Sequence, residues 1–143
     1  MTIDIDSARA QLDTAFAPWV RALGASVESL SSEGARLHLP FSNSLCRADG
    51  IICGQALMTL VDTCSVFSSW GALGEFRNIT TVDQNTSFLR PVVGKAVIAD
   101  GRIRKAGKTL IFPEVHLFAE GDDRLVAHGT STFAILPGTL QAP

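Results

Sequence analysis

The sequence predicts an α+β domain: a curved antiparallel sheet of about six strands wrapped around one long apolar helix, with a further helix at the N-terminus. Three observations predict it. Between Gly50 and Gly74 the chain carries a single formally charged residue, Asp62. That stretch reads as a helix from about Ile52 to Leu73, buried on nearly all sides. Four long β-rich runs follow it, separated by turns short enough for antiparallel hairpins. Two shorter strands precede it around a Ser-Ser-Glu-Gly turn ending at Gly34.

Each element has its own signal. In Ser7–Leu23, the residues Ala8, Leu12, Phe16, Trp19, Val20 and Leu23 recur at helical spacing, which predicts an amphipathic helix. Asp6 or Ser7 is its expected cap and Gly24 its expected end. Ala25–Ser31 and Ala35–Phe41 read as strands; in the second, Ala35, Leu37 and Leu39 alternate with Arg36 and His38. Ser42–Gly50 reads as a polar loop. The four later strands are expected at Asn78–Leu89, Lys95–Lys105, Thr109–Ala119 and Leu125–Leu136. The whole chain, 1–143, is expected to form one domain, with the N-terminal helix inside 1–24 and a frayed tail at 137–143.

Composition narrows the function. The chain has 143 residues, 46% hydrophobic and only 18% charged, so it is not disordered. A net charge of −2 gives no basic field for nucleic acid. Gly50–Gly74 is long enough to cross a membrane, but it carries Gln55, Asp62 and several hydroxyls, and its flanks show no charge bias. No membrane partner is expected. The N-terminus lacks a basic segment followed by an apolar run, so cytoplasmic residence is the expectation. Cys46, Cys53 and Cys64 are an odd count without a CxxC pair, and His38, His116 and His128 lack ligand spacing. No disulfide, metal or cofactor is expected. An excess of apolar residues and exposed strand edges would be covered by a second copy of the chain.

Two features of the helix carry the chemistry. A helix starting near Gly54 offers unpaired backbone N–H groups and a positive dipole end, and glycine lets a ligand oxygen approach them. Asp62 is a carboxylate in an apolar helix, where it needs a partner or a proton. Eight residues of helix separate the two by about 12 Å, too far to meet one carbonyl. Two antiparallel helices from two subunits would bring Gly54 of one opposite Asp62 of the other. Thr81, opening the first long strand of the second half, can hydrogen-bond a carboxylate or a water. Arg90, Arg104, Lys105 and Lys108 lie near strand ends and a turn, where they can meet phosphates or simply solvate the surface. Cys53, at the helix start, is a packing residue or a nucleophile activated by the dipole.

The motifs Gly50-x-x-Cys53-Gly54-Gln55, Leu60-Val61-Asp62-Thr63, Thr80-Thr81-Val82-Asp83, Phe88-Leu89-Arg90-Pro91 and Ala106-Gly107-Lys108-Thr109-Leu110 together resemble the hotdog-fold acyl-CoA thioesterases of the phenylacetate-degradation (PaaI-like) type. The likeness covers about residues 42–136. It implies a hydrolase in which the amide at Gly54 polarises the thioester carbonyl. The carboxylate at Asp62, from the facing subunit, serves as general base or nucleophile, and Thr81 helps place the water. It also implies homodimers, often paired as tetramers, and coenzyme A bound with its nucleotide end near the surface. Two positions depart from the pattern. Cys53-Gly54-Gln55 stands where the family has His-Gly-Gly, and Arg47 aligns with its usual asparagine. Arg47, Cys53, Gln55, Arg90, Arg104, Lys105 and Lys108 are the candidate substrate-binding residues. A non-catalytic module binding acyl-CoA or a small apolar ligand is the alternative, motivated by the absent histidine and asparagine. A hydratase or dehydratase ranks last, because no histidine flanks the helix closely.

Overall fold

A computed structural model describes residues 3–140. It contains helices α1 (Ile5–Thr14) and α2 (Pro18–Arg21), strands β1 (Ser26–Ser31) and β2 (Gly34–Leu39), and the long helix α3 (Gly54–Leu73). Strands β3 (Arg77–Phe88), β4 (Val97–Ala106), β5 (Leu110–Ala119) and β6 (Leu125–Thr139) complete it. The six strands form one sheet in the order β1-β2-β4-β5-β6-β3, antiparallel throughout. α3 packs against one face of this sheet. The α+β architecture expected from the sequence is therefore present, and it is the hotdog fold.

The apolar character of α3 is spent on this packing. Leu60, Val61, Cys64, Phe67 and Trp70 are buried against Leu37, Leu39, Val97, Ala99, Val115 and Leu117 of the sheet. Most of its most apolar stretch lies inside the protein, so a core helix accounts for its hydropathy. Burying one such large side chain contributes roughly 1.5–3 kcal/mol. Among the buried hydroxyls of α3, Ser65 Oγ has no partner among the described residues, whereas Ser68 and Ser69 are paired. Ser68 Oγ accepts from the Ala35 amide at 3.1 Å, and Ser69 Oγ donates to the Ser65 carbonyl at 2.8 Å. Helix and sheet approach closely at Gly101, where a Cβ would lie 2.2 Å from Ser68 Oγ and 2.8 Å from Cys64 Sγ. Gly74, at φ 71°, turns the chain out of α3, and its amide closes onto the Trp70 carbonyl at 2.9 Å.

Several expected boundaries are corrected. The single helix over Ser7–Leu23 is two helices, because Pro18 supplies no amide and its ring would clash with the carbonyl of Thr14. Phe16, in the break, still stacks on Phe67 with ring centroids 5.3 Å apart. The cap is Asp4, not Asp6 or Ser7. Asp4 Oδ1 accepts from the Ser7 amide at 2.8 Å while Ser7 Oγ accepts from the Asp4 amide at 3.0 Å. α3 begins at Gly54 rather than Ile52, because Ile52 and Cys53 give their amides to Val92 and Leu45. The expected frayed tail is ordered as far as Leu140: Thr139 pairs with Arg77, and the Leu140 amide donates to the Phe76 carbonyl at 2.7 Å. Residues 141–143 of that tail lie outside the described ones.

Candidate active site

The start of α3 is presented by a tied loop. Gly50, at φ 82°, closes a turn in which its amide donates to the Arg47 carbonyl at 3.0 Å. The Arg47 amide in turn donates to the Ile51 carbonyl at 2.8 Å. Cys53 is the N-cap residue, and its side chain makes no capping bond. Among the described residues nothing accepts from the Gly54 amide. Gly54 opens into a recess with Arg47, Leu57, Phe88, Leu89 and Arg90. A Cβ there would meet the Phe88 ring at 3.4–3.5 Å, so the bare glycine leaves the approach to its amide open.

Asp62 sits two turns on, in a second recess lined by Phe16, Trp19, Met58, Thr81 and Gln84. The two recesses share no residue. The neighbouring helix hydroxyls do not serve Asp62, because Thr59 and Thr63 donate to the carbonyls of Gln55 and Thr59, each at 2.8 Å. Its partner is Thr81, whose Oγ1 donates to Asp62 Oδ1 at 2.9 Å. Burial pushes the Asp62 carboxyl above its ordinary pKa, and the Thr81 hydroxyl offsets part of that rise.

A β-bulge aims Thr81. The β3–β6 register runs Thr81 opposite Phe133 and then Asp83 opposite Thr132, leaving Val82 as an extra residue. In a regular strand, residues 81 and 84 would point to opposite faces. The bulge turns both toward α3, where Thr81 meets Asp62 and Gln84 Nε2 donates to the Met58 carbonyl at 3.3 Å. Val82 itself is 60% exposed.

The other candidate residues are distributed unevenly. Arg47 and Arg90 reach the rim of the Gly54 recess; Arg47 pairs with Asp49, and Arg90 Nη1 donates to the Leu125 carbonyl at 3.0 Å. Cys53 and Gln55 line a different hollow, beside Trp19, Leu23 and Leu45. Arg104 lies on the β4–β5 hairpin and pairs with Glu114. Lys105 and Lys108, exposed on the same hairpin, line neither recess. Linear spacing missed one constellation. Antiparallel pairing sets His116 opposite His128, and Glu114 joins them, so the expectation of scattered histidines is corrected for that pair. His38 stays apart, 3.7 Å from Glu120. The three cysteines are free, and burial drives the Cys64 thiol up to about 12, which leaves it inert.

Comparison with known proteins places this geometry. The family model described as the thioesterase superfamily matches residues 49–126, a span that includes the Gly54 turn, Asp62 and Thr81. A Halobacterium salinarum protein named provisionally as an esterase is 31% identical over 123 residues, covering 79% of this chain and 81% of its own length. A structure from Silicibacter sp. TM1040, named provisionally as a thioesterase, superimposes with a TM-score of 0.84 at 26% identity, covering 94% of this chain and 93% of its own. Zebrafish thioesterase superfamily member 2 shares the fold at a TM-score of 0.83 and 20% identity, covering 94% of this chain and all of its own. By sequence and by fold, the chain belongs to the thioesterase superfamily.

Proposed function

We propose that this protein hydrolyses acyl-CoA thioesters at a site shared by two copies of the chain, in the manner of the phenylacetate-degradation type. The observation that carries the reading is Asp62: the one carboxylate of an otherwise uncharged core helix, half-buried beside aromatic side chains, with one hydroxyl aimed at it. Buried carboxylates with a raised pKa are matched to general-base work near neutrality. Asp62 takes a proton from water as the water oxygen bonds to the thioester carbon. The oxyanion that forms faces the Gly54 amide, unpaired at the positive end of α3. Collapse of the tetrahedral intermediate breaks the carbon–sulfur bond. The proton held on Asp62 goes to the leaving thiolate, which departs as coenzyme A, and the acyl group leaves as the free acid. Asp62 as a nucleophile forming a mixed anhydride reaches the same products.

A second copy supplies what one chain lacks. The Gly54 and Asp62 recesses lie about 12 Å apart along one helix, too far to act on one carbonyl. α3 antiparallel to its counterpart closes that gap. The sheet has two edges, β1 and β3; at β1, Arg9 Nε of α1 already donates to the Val27 carbonyl at 3.2 Å, so β3 is the edge proposed to pair. Met58, Val82, Phe88, Leu89 and Val93, on or near that side, are large apolar side chains left exposed. Homodimers, or pairs of them, are the proposed form. In this reading Arg47 and Arg90, at the rim of the Gly54 recess, meet coenzyme A phosphates. Three free cysteines suit the reducing cytoplasm as the site of action.

The test is hydrolysis of a panel of aromatic, short-chain and medium-chain acyl-CoA thioesters by the wild type and by Asp62→Ala. Turnover that falls by about 10²–10⁴-fold in the variant supports the base assignment. Unchanged rates in Asp62→Ala overturn it. Cys53 in place of the family histidine favours the second reading, a binding module. That reading expects thermal stabilisation by acyl-CoA with no turnover in the wild type.

A further inference from the structure

The geometry points to a divalent transition-metal site on the outer face of the sheet, formed by Glu114, His116 and His128, with zinc as the fitting ion. This site is separate from the thioesterase reading and does not depend on it. Glu114 and His116 stand two apart on β5, so both point away from α3, while Val115 between them is buried in the core. His128 faces His116 across the β5–β6 ladder. The two Nε2 atoms converge on one carboxylate oxygen: Glu114 Oε1 lies 3.0 Å from His116 and 2.7 Å from His128. All three candidate ligand atoms fall within 4.8 Å of one another.

Those distances suit a small ion. Tetrahedral zinc with bonds near 2.0–2.1 Å needs its ligand atoms roughly 3.3–3.4 Å apart. The two contacts to Glu114 Oε1 are tighter by about 0.3–0.7 Å, as hydrogen bonds should be. Modest side-chain rotation opens the triangle, and zinc takes the place of the Nε2 protons. Two imidazoles and a carboxylate are ligands that zinc, cobalt, nickel and copper accept, whereas calcium and magnesium favour oxygen alone. Arg104 pairs with the other carboxylate oxygen and so turns Oε1 toward the histidines, a positioning role. Asp100 stands opposite His116 on β4 and lines the same cleft with Arg102, Arg104, Glu114 and His116. The His116 and His128 side chains are 39% and 35% exposed, so water or Asp100 can complete the coordination.

The test uses the full chain after chelator treatment. Titration with Zn²⁺ by calorimetry should give one ion per chain, and Co²⁺ should give visible d–d bands without a strong sulfur charge-transfer band. His116→Gln and His128→Gln should each weaken Zn²⁺ binding by about 100-fold or more, and Arg104→Gln by about 10-fold. In the wild type, Zn²⁺ should protect two of the three histidines from diethyl pyrocarbonate, a readout that needs no variant. Absence of Zn²⁺ binding overturns the proposal and leaves the cluster a hydrogen-bonded ion pair. Equal binding by the double histidine variant, or a thiolate spectrum with Co²⁺, overturns it in favour of the cysteines.

Discussion

Thr81 Oγ1 donates to Asp62 Oδ1 at 2.9 Å and ties β3 to the middle of α3. The bond does two things to the carboxylate. It fixes which oxygen is free to take a proton, and it favours the charged form against the effect of burial. A hydrogen bond to a charged group contributes roughly 1.5–3 kcal/mol, or about 10–100-fold in rate where the group must be charged and aimed. Thr81→Val should therefore lower kcat by that factor and move the acid limb of the pH–rate profile to higher pH. Thr81→Ser should restore both. An unchanged pH profile in Thr81→Val would remove Thr81 from the site.

The raised pKa of Asp62 also has a cost in stability, with a definite sign. A carboxyl whose folded pKa lies above its unfolded value binds more protons in the native state between the two values. Stability then falls as pH rises through that window and stays low above it. Asp62→Asn keeps an oxygen that accepts from Thr81 and abolishes the charge. Melting curves should show it more stable than wild type at pH 7, with the gain shrinking as pH falls toward the ordinary carboxylate range. A variant less stable than wild type at pH 7 would mean that Asp62 is stabilised as an anion.

Much of this was legible in the sequence, and the two tertiary features that were not share a cause. Hydropathy marked α3, because an apolar run with one carboxylate reads the same way in one dimension as in three. Asp62, Gly54 and Thr81 could be singled out from composition, dipole and motif. The Val82 bulge could not, because it depends on how β3 registers with β6. The Glu114–His116–His128 cluster was invisible for the same reason: residues 116 and 128 meet only across a strand pair. Asp4, Asp6 and Ser7 are all good caps, and Ser7 at N3 reaching back to Asp4 settled the choice. Pro18 breaks the helix although the apolar helical spacing continues on both sides of it.

Gly54 allows its backbone amide to be tested directly. It is the first residue of α3, the position where proline fits a helix best because that amide has no helical acceptor. Cys53 before it, at φ −69° and ψ 151°, already has the extended backbone that proline demands of its predecessor. Gly54→Pro should thus fold with a melting temperature close to wild type and lose the donor. Removing one oxyanion donor costs roughly 10²–10³-fold in kcat. Gly54→Ala keeps the donor and adds a methyl group in ordinary contact with the Phe88 ring, so its loss should be much smaller. Equal activity in the proline and alanine variants would show that the amide does no chemistry.

A shared site makes a prediction that no single-chain site can mimic. Asp62→Asn homodimers keep intact Gly54 amides, and Gly54→Pro homodimers keep intact Asp62 carboxylates, yet each keeps about 1% of wild-type activity or less because every site lacks one partner. Refolding the two together at equal concentration makes about half the dimers mixed, and each mixed dimer pairs a wild-type Gly54 with a wild-type Asp62 at one of its two sites. Activity should return to roughly a quarter of wild type. Val82→Lys, which places a charge on the exposed bulge of the β3 edge, should abolish the recovery and give monomers by light scattering. If mixing restores nothing while native mass spectrometry confirms mixed dimers, Gly54 and Asp62 do not act on the same carbonyl.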